Sequence, residues 1–260
     1  MNILEEIVTH KLQEVENQSM IIPIERLKSS QRLFAIRNFK KALKGNEIKI
    51  IAEIKRRSPS EKDIMMDADP VQVSISYQLN GAAAISILTD QFYFGGHLDF
   101  IQQVKAAVEL PVLRKDFIVS EYQVWESFHA GADAILLIAD AIDYSLLVKL
   151  YELSSELGMH TLVEAHSIES LNLIMNMKPD IAGFNCRNLQ SMKTDISWFE
   201  TAYRKLPANS IKIAESGISN SDNLKFISNL GYDSVLVGTS LMATGSPGLA
   251  LAELLKRVPA

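Results

Sequence analysis

The sequence predicts an α/β fold in which eight parallel strands, each followed by a helix, close into a (βα)8 or TIM barrel. From residue 48 onward, short apolar runs rich in β-branched residues alternate with longer segments of helical periodicity. Parallel strands need crossover helices, and eight such βα units close a barrel. The length of 260 residues suits one barrel domain. We place the strands at residues 48–54, 83–87, 112–113, 134–138, 161–163, 181–184, 211–214 and 234–237.

Two helical segments precede the first strand. Residues 3–16 carry apolar residues at helical spacing, with Asn2 in the position of an N-cap, and residues 31–44 form a second, basic helical pattern. Further helices are expected between the strands and after the last strand. We therefore predict one domain over residues 1–260, in which residues 1–46 are an N-terminal helical extension.

Composition argues against several classes of partner and location. Lys plus Arg number 26 against 31 for Asp plus Glu, so the net charge of -5 predicts no general attraction to nucleic acid or anionic lipid. The single cysteine, Cys186, forms no internal disulfide. The N-terminus is acidic where a secretory signal is basic, and no apolar run approaches the length of a membrane span. We predict a cytoplasmic protein without nucleic-acid or membrane partners.

Charged and polar residues stand where several predicted strands end, which is where active sites of such barrels lie. Strand alternation places Lys115 on the same face as Leu113 and Phe117, and a lysine aimed into a core needs carboxylate or phosphate partners. The alternative is a lysine that reaches solvent at a strand end. The other strand ends contribute Glu53, Lys55, Glu164, Asn185, Arg187, Glu215 and Ser216.

Small residues follow the seventh and eighth predicted strands. Ser216-Gly217 and Gly238-Thr239-Ser240 lie in the loops that often bind phosphate in such barrels, through backbone amides and a short helix N-terminus. Glycines there could instead serve only to make tight turns. Because both groups follow the strands expected for a phosphate site, we predict that they bind phosphate.

Several longer motifs occur in a fixed order along the chain. They are IAEIK at 51–55, SPS at 58–60, PVLRKDF at 111–117, LVE at 162–164 and AESGI at 214–218. Together they resemble the indole-3-glycerol phosphate synthases of tryptophan biosynthesis, and the resemblance runs nearly from end to end. It includes the N-terminal helical extension, which in that family precedes the barrel and helps to cover the active site.

The resemblance implies a carboxy-lyase that closes an indole ring. The family converts 1-(2-carboxyphenylamino)-1-deoxyribulose 5-phosphate to indole-3-glycerol phosphate, with loss of CO2 and water and without a metal or organic cofactor. By the family's motifs, Lys115 resembles the general acid, Glu164 resembles the base of the dehydration, and Lys55 is a second candidate acid. The other implied positions are Glu53 and Asn185 for orientation, Phe94 and Phe117 for the anthranilate pocket, Ser58, Arg187, Glu215, Ser216 and Leu236 for further substrate contacts, and Lys55, Ser58, Gly217, Gly238 and Thr239 for the phosphate.

The chain departs from the family pattern at several positions. After Ser60 it continues with residues 61–63 (EKD) where the family has lysine and glycine, which adds acids beside the predicted phosphate site. His97, Phe128 and Cys186 stand where the family usually has serine, arginine and asparagine. These changes remove no proposed acid or base. They leave open a paralogue with an altered substrate, or one that only binds its ligand.

Two other kinds of site fit the sequence less well. The sister barrel phosphoribosylanthranilate isomerase typically uses a cysteine at the end of its first strand, where this chain has Glu53 and Lys55. A metal site would need His160, Glu164 and His166 together, but the two histidines would stand roughly 20 Å apart along an extended strand. We therefore predict no metal and no cofactor, a phosphorylated small-molecule substrate, and a monomer or weak homodimer.

Overall fold

A computed structural model of the protein describes residues 3–189 and 191–256, so the N-cap predicted at Asn2 lies outside the described residues. Within these residues, eight parallel strands follow one another in chain order around a closed barrel. They are β1 (Lys49–Ile54), β2 (Ala84–Leu88), β3 (Val112–Lys115), β4 (Ala134–Ile138), β5 (His160–Ala165), β6 (Ile181–Asn185), β7 (Ile211–Glu215) and β8 (Ser234–Val237). Strand β1 pairs with both β2 and β8, which closes the ring. The predicted barrel is confirmed.

Helices precede the barrel, connect its strands and follow the last strand. They are α1 (Ile3–Ile21), α2 (Ile24–Ser29), α3 (Phe39–Ala42), α4 (Pro70–Leu79), α5 (Gln91–Phe94), α6 (Asp99–Ala107), α7 (Glu121–Ala130), α8 (Tyr144–Glu156), α9 (Ile168–Met177), α10 (Trp198–Lys205), α11 (Ser221–Leu230), α12 (Thr239–Met242) and α13 (Pro247–Lys256). The expected N-terminal helix is thus present and longer than predicted. Among the helices of the described segments, none is both long and apolar enough to cross a membrane.

Strand alternation divides the buried apolar residues into two layers. Outward-facing residues such as Ile50 and Ile85 belong to the layer between strands and helices. Inward-facing residues form a second cluster inside the barrel, to which Phe39 and Leu43 add their side chains. The α3 segment thereby packs against the barrel interior, and its Leu43 carbonyl accepts a hydrogen bond from Ser234 at the start of β8. This contact is at the amino end of the strands. It therefore does not occupy the carboxyl end, where the polar side chains lie.

The helix predicted over residues 31–44 is largely wrong, because within that stretch the helix covers Phe39–Ala42 alone. The residues before Phe39 follow an irregular path, and two arginines among them form hydrogen bonds to the barrel. Arg32 donates to the Phe128 carbonyl oxygen at 2.5 Å, and Arg37 donates to two other barrel carbonyl oxygens. Local helical periodicity does not reveal such long-range hydrogen bonds, which override a weak helical preference.

Helix α1 lies against the carboxyl end of the barrel and is held there by buried charges. Lys11 is 1% exposed, and its Nζ lies 2.8 Å from Asp90 Oδ2 and 3.2 Å from Asp116 Oδ1. Asp116 also accepts a hydrogen bond from Arg114 Nη2 at 3.0 Å. A buried ammonium is tolerated when carboxylates surround it. These pairs join α1 to the end of the strand that carries Lys115.

The Asp116 carboxyl is expected to make stability depend on pH in the acid range. Burial disfavours its charge, but Arg114 and Lys11 outweigh burial and lower the pKa of Asp116 to about 2, from an ordinary value of 3.8. Its stabilisation is therefore complete above the ordinary pKa and is lost as pH falls towards the lowered one, a change of about 2 kcal/mol in the free energy of unfolding. In urea denaturation, Asp116→Asn should therefore cost less stability at about pH 2 than at about pH 5.

Asp67→Asn is the matched control, because Asp67 is an exposed carboxylate on the same molecule. The small effect of Asp67→Asn on the free energy of unfolding should stay the same over this pH range. A cost of Asp116→Asn that stays constant with pH would contradict the role given to the buried charge pairs.

Candidate active site

The polar strand ends converge on a cavity at the carboxyl end of the barrel. The strand register places Lys115 beside Leu88 of β2 and Asn185 beside Glu215 of β7, so neighbouring strands end at one level. All the residues predicted for catalysis or substrate contact line this cavity: Glu53, Lys55, Ser58, Phe94, Lys115, Phe117, Glu164, Asn185, Arg187, Glu215, Ser216 and Leu236.

The Lys115 ammonium lies between two buried carboxyl groups. Its Nζ is 3.0 Å from Glu164 Oε2 and 3.6 Å from Glu215 Oε2. Burial favours the neutral amine, but the charges of Glu164, Glu215 and Glu53 outweigh burial and raise the pKa of Lys115 above its ordinary value. Lys115 therefore carries its proton at neutral pH. It can donate that proton to a substrate oxygen on which negative charge develops.

The two carboxyl groups beside Lys115 hold their protons differently. For Glu215, burial and the nearby Glu164 charge raise the pKa well above its ordinary value. For Glu164, burial acts in the same direction, but the charges of Lys115 and His166 outweigh it and bring the pKa well below its ordinary value. Two such close carboxylates cannot both ionise without a cost. Glu164 is therefore the charged member and a candidate base, whereas Glu215 retains its proton more readily.

A further acid and base lie together at the end of β1. Lys55 Nζ is 2.7 Å from Glu53 Oε1, and the two side chains are 18% and 2% exposed. Gly238, at the end of β8, leaves the space that Glu53 occupies, because a β-carbon there would stand 2.4 Å from Glu53 Oε1. Gly238 thus contributes to packing as well as to the predicted phosphate site.

Gly183 contributes to the site although no motif predicts it. It pairs with Glu164 in the neighbouring strand, and a β-carbon on it would lie 2.4 Å from Glu215 Oε1. Any side chain at this position would push Glu215 away from Lys115. The available sequence signal is a glycine inside an apolar strand, which often marks a close approach by another group.

Arg187 joins the loops after β1 and β6. Its Nη1 donates to Ser60 Oγ at 3.3 Å and to the Met192 carbonyl oxygen at 3.0 Å. Its backbone N–H donates to Asn185 Oδ1 at 3.1 Å. Asn185 therefore orients the loop that carries Arg187, and Arg187 holds the first loop beside the cavity.

Apolar side chains supply the part of the cavity that suits an aromatic ring. The ring centroids of Phe94 and Phe117 are 6.0 Å apart, with their planes inclined by 35°. Helix α1 adds Ile3, Leu4 and Ile7 to the same cavity wall. An apolar wall with a few convergent charged groups is typical of small-molecule sites. The N-terminal segment is therefore part of the site.

A neighbouring cavity lies at the ends of β7 and β8. Of the predicted phosphate residues, those that line it are Lys55, Gly217, Gly238 and Thr239. Ser58 lines the first cavity instead. Ser216 and Gly217 both have positive φ angles, 71° and 72°, so the backbone turns sharply there. Lys55 lines both cavities and therefore lies between the reacting groups and the small-residue loops.

The changed residues of the first loop belong to a hairpin beside the first cavity. Arg57–Ser58 and Lys62–Asp63 pair as a short antiparallel hairpin. Residue 61 ends the turn and residues 62–63 form the second strand; all three are exposed, and among the described residues that line the two cavities they do not occur. The side chains of the added acids therefore face solvent. The Glu61 backbone N–H donates to Ser58 Oγ, in the wall of the first cavity, at 3.1 Å.

The other departures from the family pattern also lie outside the reacting groups. His97 is exposed beside Asp99, and Phe128 packs under the Arg32 guanidinium at 5.0 Å from its ring centroid. Cys186 belongs to the layer between strands and helices, where burial raises the pKa of its thiol to about 11. The thiol therefore stays protonated at neutral pH.

His166 lines the cavity, although the sequence suggests it only as a metal ligand. Its Nε2 lies 2.5 Å from Glu164 Oε1. His160 lies at the opposite end of β5, and among the described residues no group of three or more His, Cys, Asp or Glu is placed to hold a metal ion. The spacing of two residues between Glu164 and His166 was the available signal, since it places both side chains on one face of a strand.

Comparison with known proteins identifies the relatives of the chain. A family model described as indole-3-glycerol phosphate synthase matches residues 4–254. The indole-3-glycerol phosphate synthase of Bacteroides thetaiotaomicron is 41% identical over 99% of this chain and 99% of that protein. The enzyme of that name from Streptomyces griseus is 38% identical over 98% of this chain and 95% of that protein.

Solved structures support the fold. The 3-hexulose-6-phosphate synthase from Salmonella typhimurium has a TM-score of 0.65 at 16% identity, covering 81% of this chain and 99% of that one. A chain of a tryptophan synthase complex from Pyrococcus furiosus has a TM-score of 0.59 at 15% identity, covering 80% and 97%. At such identities these two indicate the barrel fold alone. The family match and the curated relatives go further, and by them the chain belongs to the indole-3-glycerol phosphate synthase family.

Proposed function

We propose that the chain is a carboxy-lyase that converts 1-(2-carboxyphenylamino)-1-deoxyribulose 5-phosphate to indole-3-glycerol phosphate. The observation that carries this proposal is the pairing of the Lys115 ammonium with the Glu164 carboxylate, in a cavity that also offers aromatic walls. Membership of the family supplies the reaction. The geometry supplies a role for each group.

Lys115 serves as the acid of ring closure. The aromatic carbon that bears the carboxylate forms a bond to the ketone carbon, and the ketone oxygen becomes negative as that bond forms. The Lys115 ammonium donates its proton to this oxygen, which removes the charge. The bond to the carboxylate then breaks, CO2 leaves, and the electron pair of that bond restores the aromatic ring.

Glu164 serves as the base of the dehydration. The hydroxyl formed from the ketone leaves as water after protonation by an acid. The candidates are Lys55, and Lys115 after it has regained a proton from solvent. A proton on a neighbouring carbon is lost in the same step, and the Glu164 carboxylate accepts it. Because Lys115 lies 3.0 Å from Glu164, acid and base act at neighbouring positions of the substrate.

The remaining residues position the substrate. Phe94 and Phe117 contact the anthranilate ring, and Leu236 makes a further substrate contact. Glu53 holds Lys55 in place, and Asn185 holds the loop of Arg187. The substrate hydroxyls and carboxylate are within reach of Ser58, Arg187, Glu215 and Ser216. The phosphate lies at Gly217, Gly238 and Thr239, with Lys55 beside it and Ser58 on the side of the first cavity.

We also propose that residues 1–260 act as one barrel domain, in which residues 1–46 cover the carboxyl end through α1 and pack against the amino end through α3. Direct contact of α1 with the cavity supports the first part. The cytoplasmic location, the absence of nucleic-acid and membrane partners, and the monomeric or weakly dimeric state stay predictions from the sequence.

The proposal is tested by mixing the purified protein with the carboxyphenylamino-deoxyribulose phosphate and following indole absorbance and fluorescence. We expect product, and we expect the same rate in the presence of EDTA, because a lysine rather than a metal ion supplies the positive charge. An EDTA-sensitive rate would contradict the acid assignment. If no product forms while the compound raises the melting temperature, the barrel binds this ligand without turning it over.

A further inference from the structure

The His166 ring lies between the proposed base and a backbone carbonyl group. Its Nε2 is 2.5 Å from Glu164 Oε1, and its Nδ1 is 3.2 Å from the Arg187 carbonyl oxygen. The side chain is 7% exposed, so these oxygens rather than solvent surround the ring nitrogens. His166 therefore contacts both the base and the loop that follows β6.

The backbone around His166 is held from a third side. The His166 N–H donates to Asp140 Oδ2 at 2.8 Å, and Ser167 Oγ donates to Asp140 Oδ1 at 2.8 Å. Ser167 also caps α9, with its side chain accepting from the Ser170 N–H. The backbone of His166 is thus fixed by Asp140 on one side and by the start of α9 on the other, and the ring itself is held by its contacts with Glu164 and the Arg187 carbonyl oxygen.

The two ring contacts have a consequence for the protons on His166. A carbonyl oxygen accepts hydrogen bonds and donates none, and an ionised carboxylate does the same. A neutral imidazole has one N–H and satisfies one such acceptor, whereas an imidazolium has two and satisfies both. Both oxygens therefore receive a hydrogen bond from the ring when His166 is an imidazolium and Glu164 is a carboxylate.

This arrangement distinguishes the two carboxyl groups beside Lys115. Glu164 has a partner at each oxygen, the Lys115 ammonium at Oε2 and the His166 ring at Oε1. Glu215 faces Lys115 at 3.6 Å, and neither of its oxygens accepts a hydrogen bond from a described residue. We propose that His166 is a positioning residue, which as an imidazolium keeps Glu164 charged and oriented so that Glu164 rather than Glu215 is the base. This inference rests on the proposed function.

The electrostatics of the site support the inference. Burial disfavours the imidazolium, but the charges of Glu164 and Asp140 and the Arg187 carbonyl outweigh burial and raise the pKa of His166. The groups that face His166 come from three neighbouring segments: Glu164 on β5, Asp140 after β4 and Arg187 after β6. Lys115 on β3 lies beyond Glu164. Both acidic neighbours favour the charged ring.

Two variants separate the contacts of His166. In His166→Asn the amide takes the place of Nδ1, so the contact with the Arg187 carbonyl is kept and the contact with Glu164 is lost. In His166→Gln the amide reaches the place of Nε2, so a neutral donor to Glu164 is kept. Both lose the positive charge. Comparing their melting temperatures with that of the wild type checks that each variant is folded.

The deciding measurement is kcat as a function of pH. For His166→Asn we expect kcat to fall roughly 10- to 100-fold, the cost of losing one hydrogen bond to a charged group, with little change in KM. His166→Gln should recover part of this loss. In both variants the acidic limb of the profile should move to higher pH, because Glu164 without the imidazolium is harder to ionise. An acidic limb that stays in place overturns the inference, whatever the rate.

A second measurement does not depend on turnover. In nitrogen-15 NMR of the wild-type protein labelled at its five histidines, the signals of His166 are identified by their absence in His166→Asn. We expect both ring nitrogens of wild-type His166 to be protonated at neutral pH. In Glu164→Gln, the ring should lose its second proton at a lower pH than it does in the wild type. A singly protonated His166 in the wild type overturns the inference. If the wild type shows an imidazolium but makes no product, the proposed function fails and the placement of the charges stands.

Discussion

Replacing Lys115 by alanine is expected to lower kcat roughly 10²- to 10⁴-fold, the usual contribution of a general acid. Substrate affinity should change far less. The ammonium matters most when the ketone oxygen becomes negative, so its loss affects the transition state more than the bound substrate. Indole fluorescence gives kcat and KM, and calorimetry with the variant gives the dissociation constant of the substrate. A loss of binding equal to the loss of rate would contradict the assignment.

Lys55→Ala is the matched comparison, because Lys55 is the second candidate acid and lines both cavities. We expect this variant to raise KM more than Lys115→Ala does, and to lower kcat less. The reverse order would make Lys55 the principal acid. Lys149→Ala, at a lysine that is 66% exposed, controls for the loss of any positive charge and should behave as the wild type.

Replacing Glu164 by glutamine is expected to stall the dehydration, with a loss of roughly 10²- to 10⁴-fold in the rate of indole formation. Glutamine keeps the shape of the side chain but cannot accept a proton from carbon. Phosphate binding should be retained, because the substitution does not alter the loops after β7 and β8 that line the second cavity. In a single turnover, CO2 release should precede indole formation by a measurable interval. Indole formed at the wild-type rate would remove Glu164 from the mechanism.

Glu215→Gln is the control for this experiment. Glu215 lies on the other side of Lys115 and holds its proton more readily, because burial and the Glu164 charge raise its pKa. A neutral amide therefore resembles the protonated carboxyl that the raised pKa favours. We expect a smaller loss of rate than in Glu164→Gln and no separation of CO2 release from indole formation. Equal effects would mean that the two carboxyl groups share the base function.

Much of the fold and of the candidate site follows from periodicity. Short apolar runs at barrel spacing predict the strands, and alternation along each strand predicts which side chains face inward. For that reason Lys115 and Glu164, nearly fifty residues apart, could be placed in one cavity before any distance was known. The predicted helix over 31–44 failed because Arg32 and Arg37 bind carbonyl oxygens of the barrel that lie far along the chain.

The sequence by itself determined the architecture, the family and the acid and base groups proposed for the cavity, because strand period and motif order can be read along the chain. The tertiary structure alone decided how those groups act on one another. It placed His166 against Glu164, gave Glu215 its room beside Gly183, and set Lys115 between the two carboxyl groups. Which carboxyl is charged depends on these distances and on burial, and neither is written in the spacing of residues along a strand.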